Sequence, residues 1–151
     1  MSTSQAVTKQ AIKNFQSGYN CAQSVLLALY AYLEPGSNNE LVPKIAAGFG
    51  GGIGRCGSVC GALTGTIMAV GIKDAPNEAG MEKRAKAYAD AKTLYDRFGE
   101  LNGTVFCRDL IKLDLSKPED AAKARQEGTF RKVCDNLIKT AVENFFSLEN
   151  K

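Results

Sequence analysis

The chain contains no histidine, and that absence removes more chemistry than any other feature of its composition. Without imidazole there is no Ser-His-Asp or Cys-His catalysis, no Cys2His2 zinc finger and no histidine-ligated haem. The five cysteines include no C-x-x-C pair, so the usual zinc-ribbon and thioredoxin-like spacings are missing too. A net charge of +3 without clustering is too weak to point to nucleic acid or a membrane surface as partner. Met1 to Phe15 carries Lys9 and Lys13 but no apolar run suited to a signal sequence; the expectation is a cytoplasmic protein with reduced thiols. The longest uncharged stretch, Cys56 to Ile72, is too short for a membrane span and contains four glycines, so it reads as a buried segment. What chemistry remains runs through sulfur or carboxylate.

At 151 residues, with 44% hydrophobic and 23% charged side chains, the chain is expected to form one domain, 1–151, with a real core. Its halves differ. Residues 1–75 hold eight charged side chains and eleven glycines, residues 76–151 twenty-seven and four. The first half reads as packed, the second as solvated amphipathic helices. Pro76-Asn77 marks a turn, not a linker.

Helical signals dominate and no strand alternation appears. Asn20 and Gln23 form a capping-box pair before the apolar run Val25 to Leu33, which Glu34-Pro35-Gly36 ends. A short helix is predicted near Asn39 to Ala47 with Pro43 in its first turn, and another from Gly57 to Val70. Glu78 to Phe98 places Met81, Ala85, Tyr88, Ala91, Leu94, Tyr95 and Phe98 on one face, with Gly99 closing the helix. Thr104 is the expected cap of a helix through Cys107, Leu110 and Ile111. Ser116-Lys117-Pro118-Glu119 has capping-box spacing and an early proline. Thr129 is the expected cap of a last helix with the stripe Val133, Leu137, Ile138, Ala141, Val142 and Phe145. The fold class is all-α, a bundle of about seven helices.

Between the second and third predicted helices lies a glycine-rich loop, Gly48-Phe49-Gly50-Gly51-Gly52-Ile53-Gly54, read as flexible. Gly52-Ile53-Gly54-Arg55-Cys56-Gly57 matches G-x-G-x-x-G by letters, but a helix and not a strand precedes it, so a dinucleotide site is disfavoured. Sharp turns and close backbone approach explain the glycines better. Gly57, Gly61 and Gly65 recur every four residues as a strip for tight helix packing, within the chain or against a mate.

Cys21, Cys60, Cys107 and Cys134 each fall near a predicted helix N-terminus, with Arg55, Arg108, Arg131 and Lys132 close in sequence. If those ends converge, the expected result is an electropositive pocket that favours thiolates, for redox work or metal ligation. Cys56 and Cys60 are expected on one side of a helix or its first turn. Buried filler is the competing reading for each cysteine.

Cys60-Gly61-Ala62-Leu63-Thr64-Gly65, with an upstream cysteine in Asn20-Cys21-Ala22-Gln23 and downstream ones in Phe106-Cys107-Arg108 and Val133-Cys134, resembles the C_GCAxxG_C_C family of redox-active proteins. The resemblance runs from Gly18 to the last helix. It implies an all-helical bacterial or archaeal protein whose four family cysteines correspond to Cys21, Cys60, Cys107 and Cys134, with Cys56 outside the pattern as a spare ligand, resolving thiol or filler. The family also looks similar to the helical domain of a dimeric split-Soret cytochrome c with an iron–sulfur site beside haem. This chain lacks C-x-x-C-H and all histidine, so no haem is expected.

The leading expectation is a redox protein using those four cysteines as one site. In one form they ligate an iron–sulfur cluster or zinc and carry electrons to an unknown redox partner; in the other, slightly behind, they cycle as disulfides with low-pKa Cys21 attacking. A non-catalytic helical interaction module, a homodimer through the glycine strip, is the alternative of another class.

Overall fold

The computed structural model describes residues 1–150, and among them are eight α-helices and no strand. They are α1 (Thr3–Gln16), α2 (Cys21–Leu33), α3 (Leu41–Ala46), α4 (Gly61–Asp74), α5 (Ala85–Asn102), α6 (Cys107–Ile111), α7 (Pro118–Glu127) and α8 (Asp135–Ser147). The helix beyond the predicted seven is α1. Its signal lies at the extreme N-terminus: Ser2 and Gln5 form a reciprocal capping box, with Gln5 N–H donating to Ser2 Oγ and Ser2 N–H to Gln5 Oε1, and Val7 and Ala11 give it a buried face.

The predicted box on α2 forms as well. Gln23 N–H donates to Asn20 Oδ1 at 2.9 Å and Asn20 N–H to Gln23 Oε1 at 3.0 Å. α2 is the spine of the molecule, packed against α1, α3, α4 and α8, while α8 also closes on α1, α4 and α5. The main core gathers Leu26 and Leu29 of α2, Leu63 of α4, Leu94 and Phe98 of α5, and Ile138 and Phe145 of α8. A smaller core of Ile111, Leu115, Ala121, Ala124 and Cys134 lies beside it under α6 and α7. Burying a large apolar side chain stabilises by about 1.5–3 kcal/mol, and the predicted α8 stripe, Leu137 to Phe145, is buried accordingly.

Several boundaries differ from expectation. α4 begins at Gly61, not Gly57, so Gly57 stands outside the strip. Gly61 and Gly65 do meet another backbone: a Cβ on Gly65 would lie 2.7 Å from the Ala22 carbonyl oxygen, and one on Gly61 3.1 Å from the Ala22 nitrogen. The strip is thus used within the chain, between α4 and α2. In α5 the inward face is Ala87, Asp90, Leu94 and Phe98, while Met81, Tyr88 and Tyr95 of the predicted stripe are exposed. The helix runs past Gly99 to a left-handed Gly103. Thr104 Oγ1 accepts from Phe106 N–H within a turn and caps no helix. Ser116 hydrogen-bonds to Asp114, so α7 starts at Pro118 without a capping box. Thr129 is helical, and a π-turn, Phe130–Cys134, leads directly into α8.

Among the described residues no helix is long and apolar enough to cross a membrane.

Candidate functional site

The glycine-rich loop is tied down by its own backbone. Gly54 N–H donates to Gly48 O at 2.9 Å, Arg55 N–H to Gly50 O at 3.1 Å, and Ser58 N–H to Gly52 O at 2.9 Å. Gly51, Gly52, Ile53, Gly54 and Arg55 all have φ between +53° and +70°, a conformation that glycine adopts freely and other residues adopt at a cost. Gly52 shows why one of them must be glycine: a Cβ there would lie 2.6 Å from Ser58 backbone atoms and 2.8 Å from Cys107 Cβ. Gly50 docks the loop onto the α2 cap, where its Cβ position is 2.8 Å from Asn20 Nδ2.

After this loop the chain runs alongside residues 105–108. Val59 and Phe106 form an antiparallel bridge. Cys60 N–H donates to Val105 O at 2.8 Å, and Cys107 N–H to Ser58 O at 2.7 Å. That short pairing sets Cys60, just before α4, beside Cys107, the first residue of α6. Cys21, the first residue of α2, comes close because Gly61 packs on it: the Cβ position of Gly61 is 3.2 Å from Cys21 Cβ. Cys134 ends the π-turn, a feature often found at functional sites.

The four predicted cysteines thus meet at the seam between the two cores. Cys60 belongs to the main core and Cys134 to the smaller one; Cys21 packs against both, and Cys107 against the smaller. Cys21 feels the charge of all three others, Cys60 that of Cys107 and Cys134, and Cys107 that of Cys134. Cys56 does not join them. It is exposed at the end of the glycine loop, and its carbonyl accepts a hydrogen bond from Arg108 Nη2 at 3.0 Å. Residues 56–59 are not helical, so Cys56 and Cys60 share no helix face.

The expected set of low-pKa thiols is not what the site holds. Burial pushes the Cys60 thiol up to about 12, although the amides of Ala62 and Leu63 pull it down. Burial likewise raises Cys107 to about 11, with the charge of Cys134 adding to it. Cys21 is raised well above the ordinary thiol value because its S–H is hydrogen-bonded to Cys134, with burial and the three other sulfurs adding to the effect. Cys134 alone is lowered, by accepting that hydrogen bond, against opposition from burial and from Asp135. A helix N-terminus is worth roughly 0.3–1 kcal/mol to an anion, whereas burial moves pKa values by up to 3–5 units, each about 1.4 kcal/mol. Desolvation wins at Cys60 and Cys107. The low-pKa member of the set is Cys134, and Cys21 is its proton donor.

Four thiols are a suitable donor set for zinc or an iron–sulfur cluster. Their placement is a separate matter: among the described residues no group of three or more His, Cys, Asp or Glu side chains is arranged to hold a metal ion. Zinc draws its sulfurs to about 2.3 Å from one point, and the four cysteines do not form that cage.

Beside Cys21 a cavity of about 730 Å³ opens to solvent, walled by the glycine loop, the α1–α2 turn and the π-turn. Its only charged lining residues are Arg55 and Arg131. Both stand near cysteines in the sequence, but nothing in the sequence sets them around one cavity. The local signal was Arg55 within a glycine run; its pairing with Arg131 depends on contacts between segments far apart in sequence.

The family model described as "Putative redox-active protein (C_GCAxxG_C_C)" matches residues 19–147. An uncharacterised protein of Archaeoglobus fulgidus is 31% identical over 151 residues, covering 95% of this chain and 93% of that one. No solved structure matches the chain. With a family model spanning all four converging cysteines, and a full-length relative besides, the chain belongs to the C_GCAxxG_C_C family.

Proposed function

We propose that this chain is a redox protein in which Cys21, Cys60, Cys107 and Cys134 act as one site, and that Cys21 and Cys134 are its reactive pair. The observation that carries this reading is the placement of Cys21, which lines an open cavity and packs against the small core that holds Cys134; pairing with Cys134 raises Cys21 and lowers Cys134. Cys21 borders the open cavity, and Cys134 is buried behind it.

The exchange balances as follows. In the pair that has given up one of its two protons, the remaining proton shifts from Cys21 to Cys134. The Cys21 sulfur attacks a substrate disulfide RS–SR′; the Cys21–SR bond forms, the S–SR′ bond breaks, and R′S⁻ leaves. Cys134 then gives up its proton to the departing thiolate and attacks the Cys21 sulfur, which closes the Cys21–Cys134 disulfide and releases RS⁻. Two electrons pass from the cysteine pair to the substrate. Cys60 and Cys107, with raised pKa values, stay protonated and neutral during the exchange.

Mass spectrometry after mild oxidation is expected to find a Cys21–Cys134 disulfide that a dithiol reductant reverses and that Cys134→Ser abolishes. Oxidation confined to exposed Cys56 would overturn the reading.

A second reading has its own support. Neighbouring sulfur charge adds to the raising of Cys21 (from Cys134, Cys60 and Cys107), of Cys60 (from Cys107 and Cys134) and of Cys107 (from Cys134), a repulsion that a bound cationic centre relieves. On that reading the four sulfurs, which are not in a metal-holding arrangement as they stand, would draw together to ligate an iron–sulfur cluster, and the chain would carry single electrons. Anaerobic purification followed by iron, zinc and acid-labile sulfide analysis separates the two: stoichiometric iron and sulfide, lost in Cys60→Ser, favours the cluster, and metal-free protein with a reversible disulfide favours the thiol pair.

A further inference from the structure

We propose that the cavity beside Cys21 is the substrate site, and that it selects small disulfides carrying negative charge on a flat or apolar body. This rests on the thiol-exchange reading above and assigns its substrate class. At about 730 Å³ the cavity has the size of a small-molecule site. Phe15, Tyr19 and Phe130 supply apolar and aromatic wall, and Cys21 supplies the sulfur. Arg55 and Arg131 supply the charge, with no acidic side chain lining the cavity.

The availability of those two guanidinium groups is the main point. Neither takes part in an ion pair among the described residues. Arg108, the next arginine along this side of the molecule, is already used: it donates to Cys56 O at 3.0 Å and lies 3.7 Å from Asp114. Two unpaired arginines facing one cavity match carboxylate or phosphate oxygens, which a guanidinium binds through paired N–H donors.

Arg55 carries a second observation. It has φ +67°, a conformation in which a side chain other than glycine, asparagine or aspartate is uncommon. The loop imposes it through the Arg55 N–H bond to Gly50 O, and Gly50 is itself seated against Asn20, the cap of the helix that Cys21 begins. The strained arginine and the reactive sulfur are therefore set around one cavity by one chain of contacts. Strain of this kind clusters at binding and catalytic sites. A Cβ on Gly51 would lie 2.9 Å from Arg55 Cα and Cγ, so glycine at that position leaves room for the side chain to pass.

The test compares three disulfides of different charge on the purified, reduced full chain carrying Cys134→Ser, in which attack stops at the Cys21 mixed disulfide. The probes are 5,5′-dithiobis(2-nitrobenzoate), an aromatic dianion; 4,4′-dithiodipyridine, aromatic and neutral; and cystamine, a dication. Mass spectrometry locates the adduct. The dianion is expected to modify Cys21 fastest relative to its rate with a free thiol. Arg55→Asn with Arg131→Gln is expected to cut that rate by about tenfold and leave the neutral probe within about twofold. Asparagine tolerates positive φ, so the loop can keep its shape, and unchanged thermal unfolding verifies this. Arg131→Gln alone, an exposed change, repeats the test without touching the loop. Equal sensitivity of all three probes to the arginine changes, or no adduct at Cys21 with any of them, overturns the proposal. Failure of the thiol-exchange reading looks different: the unsubstituted chain would then form no Cys21–Cys134 disulfide, while charge selection at Cys21 persists.

Discussion

The two ends of α4 both hold buried acids, and they treat them in opposite ways. At its C-terminus Asp74 and, from α5, Asp90 are buried with two lysines: Lys73 lies 2.8 Å from Asp74 and 3.4 Å from Asp90, and Lys86 3.2 Å and 2.9 Å from the same pair. Burial alone raises the Asp90 carboxyl, but hydrogen bonds from Asp74 and Lys86 and the lysine charges outweigh it and hold Asp90 well below the usual carboxylate range. At the N-terminus of α4 four thiols meet at the seam of two cores, and three of them are raised: Cys21 by its pairing with Cys134 and by burial, Cys60 and Cys107 by burial first. The same helix thus has one end where buried charge is compensated and one where protons stand in for counter-charge. On the proposed exchange, the raised Cys21 beside the lowered Cys134 is where a proton moves. The lysine–aspartate end is arranged to hold still.

Breaking the sulfur end has the largest expected effect. Cys134→Ser removes the second sulfur of the pair, and two-electron exchange is expected to fall to background. The same change should bring the Cys21 pKa down toward the ordinary thiol value, because the hydrogen bond that raises it most is lost; the pH dependence of Cys21 alkylation measures this. An unchanged or higher midpoint would contradict the shared proton.

The two ends should also fail at opposite extremes of pH. Cys60 has a raised folded pKa, so its contribution to stability is full below the unfolded value near 9 and is lost as pH rises toward about 12. Asp90 has a lowered one, so its contribution is present above the unfolded value near 3.8 and is lost as pH falls through the folded pKa. Cys60→Ala is expected to flatten the alkaline limb of a Tm-against-pH curve and leave the acid limb in place. If both limbs move together, the ends are not independent.

Two glycines of α4 sharpen the comparison further. Gly65→Ala puts a methyl 2.7 Å from the Ala22 carbonyl oxygen and should destabilise by about 1–3 kcal/mol, as overpacking does. Gly71→Ala meets nothing within 4 Å and should stabilise by up to about 1 kcal/mol through helix propensity and the unfolded chain. Urea unfolding of both variants reads the difference; similar values would mean that α4 and α2 are not in the close contact described.

Much of the helical framework is legible locally. The Asn20–Gln23 box, the Glu34-Pro35-Gly36 stop and the α8 stripe depend on residues within a turn or two of each other, and the structure shows all three. The Ser2–Gln5 box is equally local, yet at the very start of the chain it has no apolar run before it to mark a boundary. The α5 face is not fixed by local spacing. Met81, Tyr88 and Tyr95 are spaced as well as the true face, and only the presence of α4 and α8 on one side selects Asp90, Leu94 and Phe98. Thr104 and Thr129 satisfy the capping pattern but lose to a turn and a π-turn set by the segments packed around Cys107 and Cys134.

The sequence by itself determined the all-helical class, the membership of the four-cysteine family and, through the missing histidine, the exclusion of imidazole chemistry. These depend on composition, periodicity and motif, which need no knowledge of distant contacts. Tertiary structure decided that Cys56 stays outside the set, that Cys134 and not Cys21 is the lowered thiol, and that Arg55 and Arg131 face one cavity. Desolvation and Coulomb interaction depend on distances in space. Between residues as far apart in the chain as Cys21 and Cys134, only the packing of α2, α4 and the π-turn sets those distances.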